Sequence, residues 1–204
     1  MYKRKLVKTT AKRTRVPAKR VTISAAKVKQ LIASAQRSLS AQKPVVISQN
    51  RTIVTNGNWV NALPITRNPA WVAPQPSGSY LWGSNDPNGP AAVVARRFTI
   101  NRDLDEIDTA NLFLAVDNFA IVLINGRSVV IDSPQGNVSF FNPGRTFNIL
   151  RFLRRGSNNI VIAAFNFPSN ANRSDSNPAG VFARITIQFE EDNNAAQRKV
   201  RRRR

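Results

Sequence analysis

The sequence predicts an all-β domain, an antiparallel two-sheet β-sandwich of jelly-roll type, carried between basic arms. Three observations predict it. From about residue 44 to 190, short β-branched and aromatic runs alternate with clusters of Asn, Gly, Pro, Ser and Asp. In "VFARITIQF", Val181, Ala183, Ile185, Ile187 and Phe189 fall on one face, and Phe182, Arg184, Thr186 and Gln188 on the other. That period of two is the mark of a strand. Asn125-Gly126 stands between "AIVLI" and "RSVVI", and a type I′ hairpin turn needs positive φ at both central positions.

The elements follow in chain order. Residues 1 to about 22, "MYKRKLVKTTAKRTRVPAKRVT", are basic with few large apolar side chains. Such a segment cannot offset its chain entropy and is expected to be disordered alone. Residues 24–42 place Val28, Leu31, Ile32, Ala35 and Leu39 at helical spacing, with Lys27, Gln30, Ser34, Arg37 and Ser38 opposite. Ser24 can cap this short helix and Pro44 stops it. Its apolar face packs on its own domain or a sister subunit, or the helix lies on nucleic acid; one helix can do both. The strand-like runs are then "PVVISQ", "RTIVT", "VVARRFTI", "ANLFLAV", "FAIVLING", "RSVVI", "TFNILRFL", "NNIVIAAFNF" and "GVFARITIQF". The division expected is a basic arm at 1–43 with its helix, a sandwich at 44–190, and a basic tail at 191–204. No internal repeat is visible.

Charge is distributed unevenly. The formal net charge is +20, and residues 1–43 hold thirteen Lys and Arg with no acid. Residues 44–189 hold twelve Arg, no Lys and eight acids, while Glu190–Arg204 carries three acids and then six bases. Every lysine therefore lies in a terminal arm. Cysteine and histidine are absent, which removes disulfides, thiolate chemistry, the commonest general base and the commonest metal ligand. An enzyme is the least favoured class. No apolar run approaches the 18 residues of a membrane span, and the amino-terminal stretch lacks the apolar core of a secretory signal.

The stretches "NPAWVAPQPSGSYLW", "ARRFTI", "ANLFLAVDNFAIVLINGRSV", "FNILRFLRRGSNNIVIAAFNF" and "NPAGVFARITIQF" occur in that order over residues 45–189. Together this segment resembles the galactose-binding-domain-like β-sandwich of bacterial surface proteins and glycoside hydrolases. The resemblance implies a fold that binds sugars, binds proteins or stands beside an enzyme, and fold alone does not set function.

Each candidate site has a structural and a functional reading. Asp117 and Asn118 lie between two apolar runs, as turn residues or as ligand contacts. Trp59, Trp71, Tyr80 and Trp82 are core plugs or, stacked, a sugar platform; Trp59, Trp71, Trp82, Asp117 and Asn118 form the candidate glycan or partner contact. Phe140 and Phe141 read as a core edge or a contact patch. Asp103, Asp105, Glu106 and Asp108 are a solvated acidic loop or a metal site, and no cofactor or metal is expected. Arg96, Arg97, Arg151, Arg154 and Arg155 are solvated strand ends or part of a phosphate-contacting surface. The arms supply the nucleic-acid-binding candidates: Lys3, Arg4, Lys5, Lys8, Lys12, Arg13, Arg15, Lys19, Arg20, Lys27, Lys29, Arg198, Lys199, Arg201, Arg202, Arg203 and Arg204. Runs of like charge repel unless a polyanion neutralises them, and such arms bind without sequence preference.

A jelly-roll domain with a basic arm is similar in layout to small viral capsid subunits. That layout implies a non-enzymatic structural protein of a virion, sited in particles or the host-cell interior. The expected partners are nucleic acid or an acidic protein surface, with further copies of the chain in an oligomer or particle, and no membrane span. The alternatives are a carbohydrate-binding module with a glycan partner, and a basic chromatin or ribosome accessory protein whose "KRKLVK" and "KVRRRR" direct it to the nucleus.

Overall fold

The computed structural model describes residues 25–74, 76–132, 141–167 and 172–190. The arm candidates from Lys3 to Arg20, those from Arg198 to Arg204, Ser24 and Phe140 lie outside the described residues. The chain opens with helix α1 (Ala25–Ser40), followed by strands β1 (Val45–Ile47), β2 (Arg51–Val54), β3 (Ala62–Ile65), β4 (Tyr80–Gly83) and β5 (Ala91–Ile100). Next come β6 (Ile107–Asp117), β7 (Phe119–Ile124), β8 (Arg127–Ile131), β9 (Phe141–Asn148), β10 (Gly156–Phe165) and β11 (Gly180–Phe189).

The strands make two sheets, as the alternation predicts. One has the order β1-β5-β10-β7-β8, the other β3-β4-β11-β6-β9, with β2 also on β11. All pairs are antiparallel except β1 with β5, which is parallel. The long central strands carry the fold: β10 lies between β5 and β7, and β11 pairs β6 along ten residues from Gly180↔Asp117 to Phe189↔Ile107. Inward-facing Phe98, Leu112, Leu114, Val122, Ile160, Ile162, Val181 and Ile185 fill the space between the sheets. The hairpin reading of Asn125-Gly126 holds, with φ of 51° and 79° and Ile124 paired directly with Arg127.

Both faces of β10 are apolar because both are covered. Ile160, Ile162 and Ala164 face the second sheet, while Val161, Ala163 and Phe165 lie under α1, against Ala35 and Leu39. Val28, Leu31 and Ile32 pack on the same cluster, and Lys27, Lys29, Gln30, Arg37 and Ser38 stay exposed. Small Ala35, Ala95 and Ala163 admit the helix to the sheet, and burying Leu39 contributes on the order of 2 kcal/mol. The helix thus packs on its own domain. Sequence shows an apolar helix face, and the structure shows that β5 and β10 cover it.

Two further departures have local causes. In "TFNILRFL" only the first residues extend β9; the Leu150 N–H donates to the Asn148 side chain at 3.1 Å, and Leu150–Phe152 form a 3-10 turn. Strands β3 and β4 were not expected. β3 contains Pro64 and pairs only with β4, the edge position in which a proline is tolerated. Among the described residues no helix is long and apolar enough to cross a membrane.

Candidate functional site

The loop from β3 to β4 crosses the outer face of the second sheet and is anchored there by Trp71. Its ring is buried and stacks obliquely on Tyr80, with centroids 4.8 Å apart. Tyr80 continues to Phe182 at 5.7 Å, and Phe182 to Phe113 at 6.2 Å. Gly180 makes room: a Cβ there would stand 2.7 Å from the Trp71 ring. The Trp71 indole N–H donates to the Asp117 carboxylate at 2.9 Å, and the Tyr80 hydroxyl donates to the Val72 carbonyl at 3.0 Å.

Asp117 and Asn118 therefore do structural work at the β6–β7 connection. The Asn118 side-chain oxygen accepts the Phe167 N–H at 2.7 Å, and both residues are buried. Trp59 and Trp82 also point inward, donating to the Val54 and Gly89 carbonyls at 2.9 and 3.1 Å. With exposures of 4%, 5% and 0%, Trp59, Trp71 and Trp82 present no free ring face to solvent. An open three-tryptophan platform is absent because each ring fills a gap that alternation alone does not reveal. Two of the acids of the 103–108 loop turn to different basic partners: Asp103 accepts from Arg155 at 2.9 Å, and Glu106 from Arg102 at 2.6 Å. Among the described residues no three acidic side chains gather in a metal-binding group.

Burial pushes the Asp117 carboxyl up from 3.8 to about 6, with the Trp71 hydrogen bond pulling it partly back. Burial likewise pushes the Tyr80 hydroxyl up to about 12, against a downward pull from Arg67 and a small upward push from Asp117. The sign for stability follows. Between pH 4 and 6 the folded chain keeps a proton on Asp117 that the unfolded chain has released, so stability falls as pH rises through that window and then levels. Asp117→Asn retains an acceptor for Trp71 and buries no charge. Its free energy of unfolding at pH 7, measured in urea, is expected to rise by on the order of 1 kcal/mol after allowance for solvent screening, and its pH 4–6 slope to flatten.

Above this anchor lies a cleft of about 430 Å³, lined by Pro64, Ile65, Thr66, Arg67, Asn68 and Trp71 on one side and Arg173, Ser174, Asp175 and Pro178 on the other. Arg67 braces its own loop by donating to the carbonyls of Pro69 and Trp71, and the Asn68 side chain accepts the Ala70 N–H at 2.9 Å. Across the cleft, Arg173 Nε donates to the Ala179 carbonyl at 3.0 Å, and the Asn177 N–H meets the Ser174 hydroxyl at 3.1 Å. Of the expected contact residues only Trp71 reaches this cleft; Asp117 supports it from below. Arg67, Asn68, Arg173 and Asp175 were missed by sequence reasoning. The available signal was the tripeptide Asn-Pro-Ala, which occurs at residues 68–70 and again at 177–179.

No family model matches the chain, and no curated protein matches it in sequence. Several solved structures resemble it. The Streptomyces avermitilis α-L-rhamnosidase complexed with L-rhamnose is 19% identical over 65% of this chain and 12% of that one, with a TM-score of 0.42. The α-L-rhamnosidase from Dictyoglumus thermophilum is 18% identical over 68% and 15%, with a TM-score of 0.38. A calcium-binding mutant of Bacteroides uniformis β-glucuronidase 2 is 18% identical over 67% and 18%, with a TM-score of 0.38. The chain spans 12 to 18% of the length of these proteins, and its assignment as a β-sandwich rests on its own two sheets.

Proposed function

We propose that the sandwich is a non-enzymatic binding domain that takes a sugar-sized, hydroxyl-rich ligand in the cleft between Arg67 and Arg173, in the manner of a galactose-binding-like carbohydrate-binding module. The observation that carries this reading is the lining of the cleft. Each sugar hydroxyl both donates and accepts a hydrogen bond, and the walls offer donors in Arg67 and Arg173, an acceptor in Asp175, and both in Thr66, Asn68 and Ser174. Pro64, Ile65 and Pro178 supply apolar surface, and the volume lies in the range of small-ligand sites. Acid–base chemistry has little to draw on: histidine and cysteine are absent, and Asp117 lies buried, hydrogen-bonded to Trp71. A glycan array probed with the full chain, followed by calorimetric titration of any hit, tests the reading. Arg173→Ala and Asp175→Ala are each expected to weaken binding about tenfold or more, the loss of a charge-assisted hydrogen bond. A silent array, or variants that bind as the parent does, would reject it.

A second reading concerns the arms. Thirteen bases without an acid in residues 1–43, and six in the last fifteen residues, favour non-specific binding to nucleic acid or to an acidic protein surface. Neither the fold nor the structures it resembles speaks for a virion, so the reading keeps the charge and leaves the particle aside.

A further inference from the structure

We propose that the end of the sandwich opposite the cleft binds the phosphate backbone of nucleic acid. The cleft sits where β6 ends and β11 begins, at Asp117 and Gly180; the other end is where β5 ends and β10 begins, at Ile100 and Gly156. There a buried asparagine ties two chain segments together. Asn158 accepts the Arg154 N–H at 3.0 Å and the Asn125 side-chain N–H at 2.8 Å, and donates to the carbonyls of Arg154 and Gly156 at 2.7 and 3.0 Å. The Asn125 amide group also donates to the Phe152 carbonyl at 2.9 Å. This network holds the β7–β8 hairpin, the 3-10 turn and the start of β10 in one rigid unit.

The side chains raised on that unit are arginines. The guanidinium groups of Arg127 and Arg151 both lie over the single Phe152 ring, 5.2 and 4.8 Å from its centroid, and Arg127 donates to the Arg151 carbonyl at 3.0 Å. Arg154 donates to the Ser157 carbonyl at 2.7 Å, and Arg97 to the Ser157 hydroxyl at 3.1 Å. Arg127, Arg151 and Arg154 are exposed. Five acids, Asp103, Asp105, Glu106, Asp108 and Glu190, stand at this same end, and of these Asp103 pairs with Arg155 and Glu106 with Arg102. Among the described residues no ion pair joins a carboxylate to Arg97, Arg127, Arg151 or Arg154. Two cations held over one ring repel each other, and a bound phosphate relieves that repulsion. A linear polyphosphate engages several such groups at once, with guanidinium forks matched to phosphate oxygens. The Glu190 N–H donates to the Glu106 carbonyl at 2.8 Å at this same end.

The inference extends the polyanion reading from the arms into the folded domain, and one set of measurements separates the two. Full-length protein is titrated with mixed-sequence duplex DNA and with single-stranded RNA across salt, beside the variant Arg127→Gln/Arg151→Gln/Arg154→Gln. A charge-matched control carries Arg67→Gln/Arg173→Gln/Arg184→Gln, at the cleft end and on the outer face of the second sheet. The first triple variant is expected to lower the slope of log K against log salt by about one unit per lost contact, roughly three units in all on duplex DNA, and the control by much less. Equal losses in both, no loss in the first, or a parent that binds neither polymer would overturn the proposal. Replacing the bases of residues 3–20 and 198–204 by Gln tests the arms; residual binding that still needs Arg127, Arg151 and Arg154 would uphold this surface, loss of all binding would overturn it, and unchanged affinity would uphold it and reject the arms. Phenylglyoxal modification of the parent protein, read by peptide mass, requires no variant to fold. Nucleic acid should protect the three arginines severalfold, and protection by heparin with none by either nucleic acid would reassign the surface to a sulfated polysaccharide.

Discussion

Trp82→Ala is expected to destabilise the sandwich by about 3–5 kcal/mol, the range for deleting a large aromatic side chain from a packed core. Trp82 lies in β4 with no exposed surface and touches the cluster between the sheets. Its removal leaves a cavity lined by apolar side chains and strips the Gly89 carbonyl of its indole donor at 3.1 Å. An unpaired buried carbonyl adds about 1–3 kcal/mol of its own, which places the loss toward the upper part of that range. Urea unfolding followed by fluorescence or circular dichroism measures it, with the midpoint falling and the slope unchanged if both proteins unfold in two states. Since domains are stable by only about 5–15 kcal/mol, the variant should be substantially unfolded near 50 °C. Trp82→Phe keeps most of the volume and should lose much less. A change below 1 kcal/mol for Trp82→Ala would instead place the ring at the surface, where a ligand platform would need it.

Asn158→Ala should cost about 2–4 kcal/mol without creating a large cavity. The buried side chain makes four hydrogen bonds, so the methyl group leaves two carbonyls and a backbone N–H without their partner. Asn158→Asp retains the acceptor but loses both donations and places a charge in a buried position, and is expected to rescue nothing. Hydrogen exchange locates the damage. The amides of Asn125 and Asn159, which bond to each other's segment at 2.9 and 3.1 Å, should exchange markedly faster in the variant, while those along β6 and β11 keep protection closer to the parent's. Uniform acceleration across both sheets would show that Asn158 supports the whole domain and not this end of it.

These two residues mark how far sequence reasoning reaches. Gly156 opens β10 and Asn158 follows two residues later; that the Asn158 side chain ties the turn before β10 to the β7–β8 hairpin depends on Asn125 arriving beside it from a distant part of the chain. The tryptophans read as core plugs or as a stacked sugar platform. Their orientation followed from partners: Val54, Gly89 and Asp117 each accept an indole N–H. The short strands β3 and β4 escaped notice because Pro64 and a polar connection hide a pairing only four residues long.

By itself, the sequence determined the sandwich, its Asn125-Gly126 hairpin, the amphipathic helix and the confinement of lysine to the arms. Each is a property of neighbours within a few residues, where period, turn chemistry and composition are written directly into the chain. Only the tertiary structure decided that α1 covers the first sheet, that Asp117 is buried and hydrogen-bonded to Trp71, and that two Asn-Pro-Ala segments line one cleft with arginines gathered at the opposite end. A local pattern specifies which face of an element is apolar. What meets that face is set by packing between segments far apart in the chain, and both the cleft and the arginine-bearing end arise from such meetings.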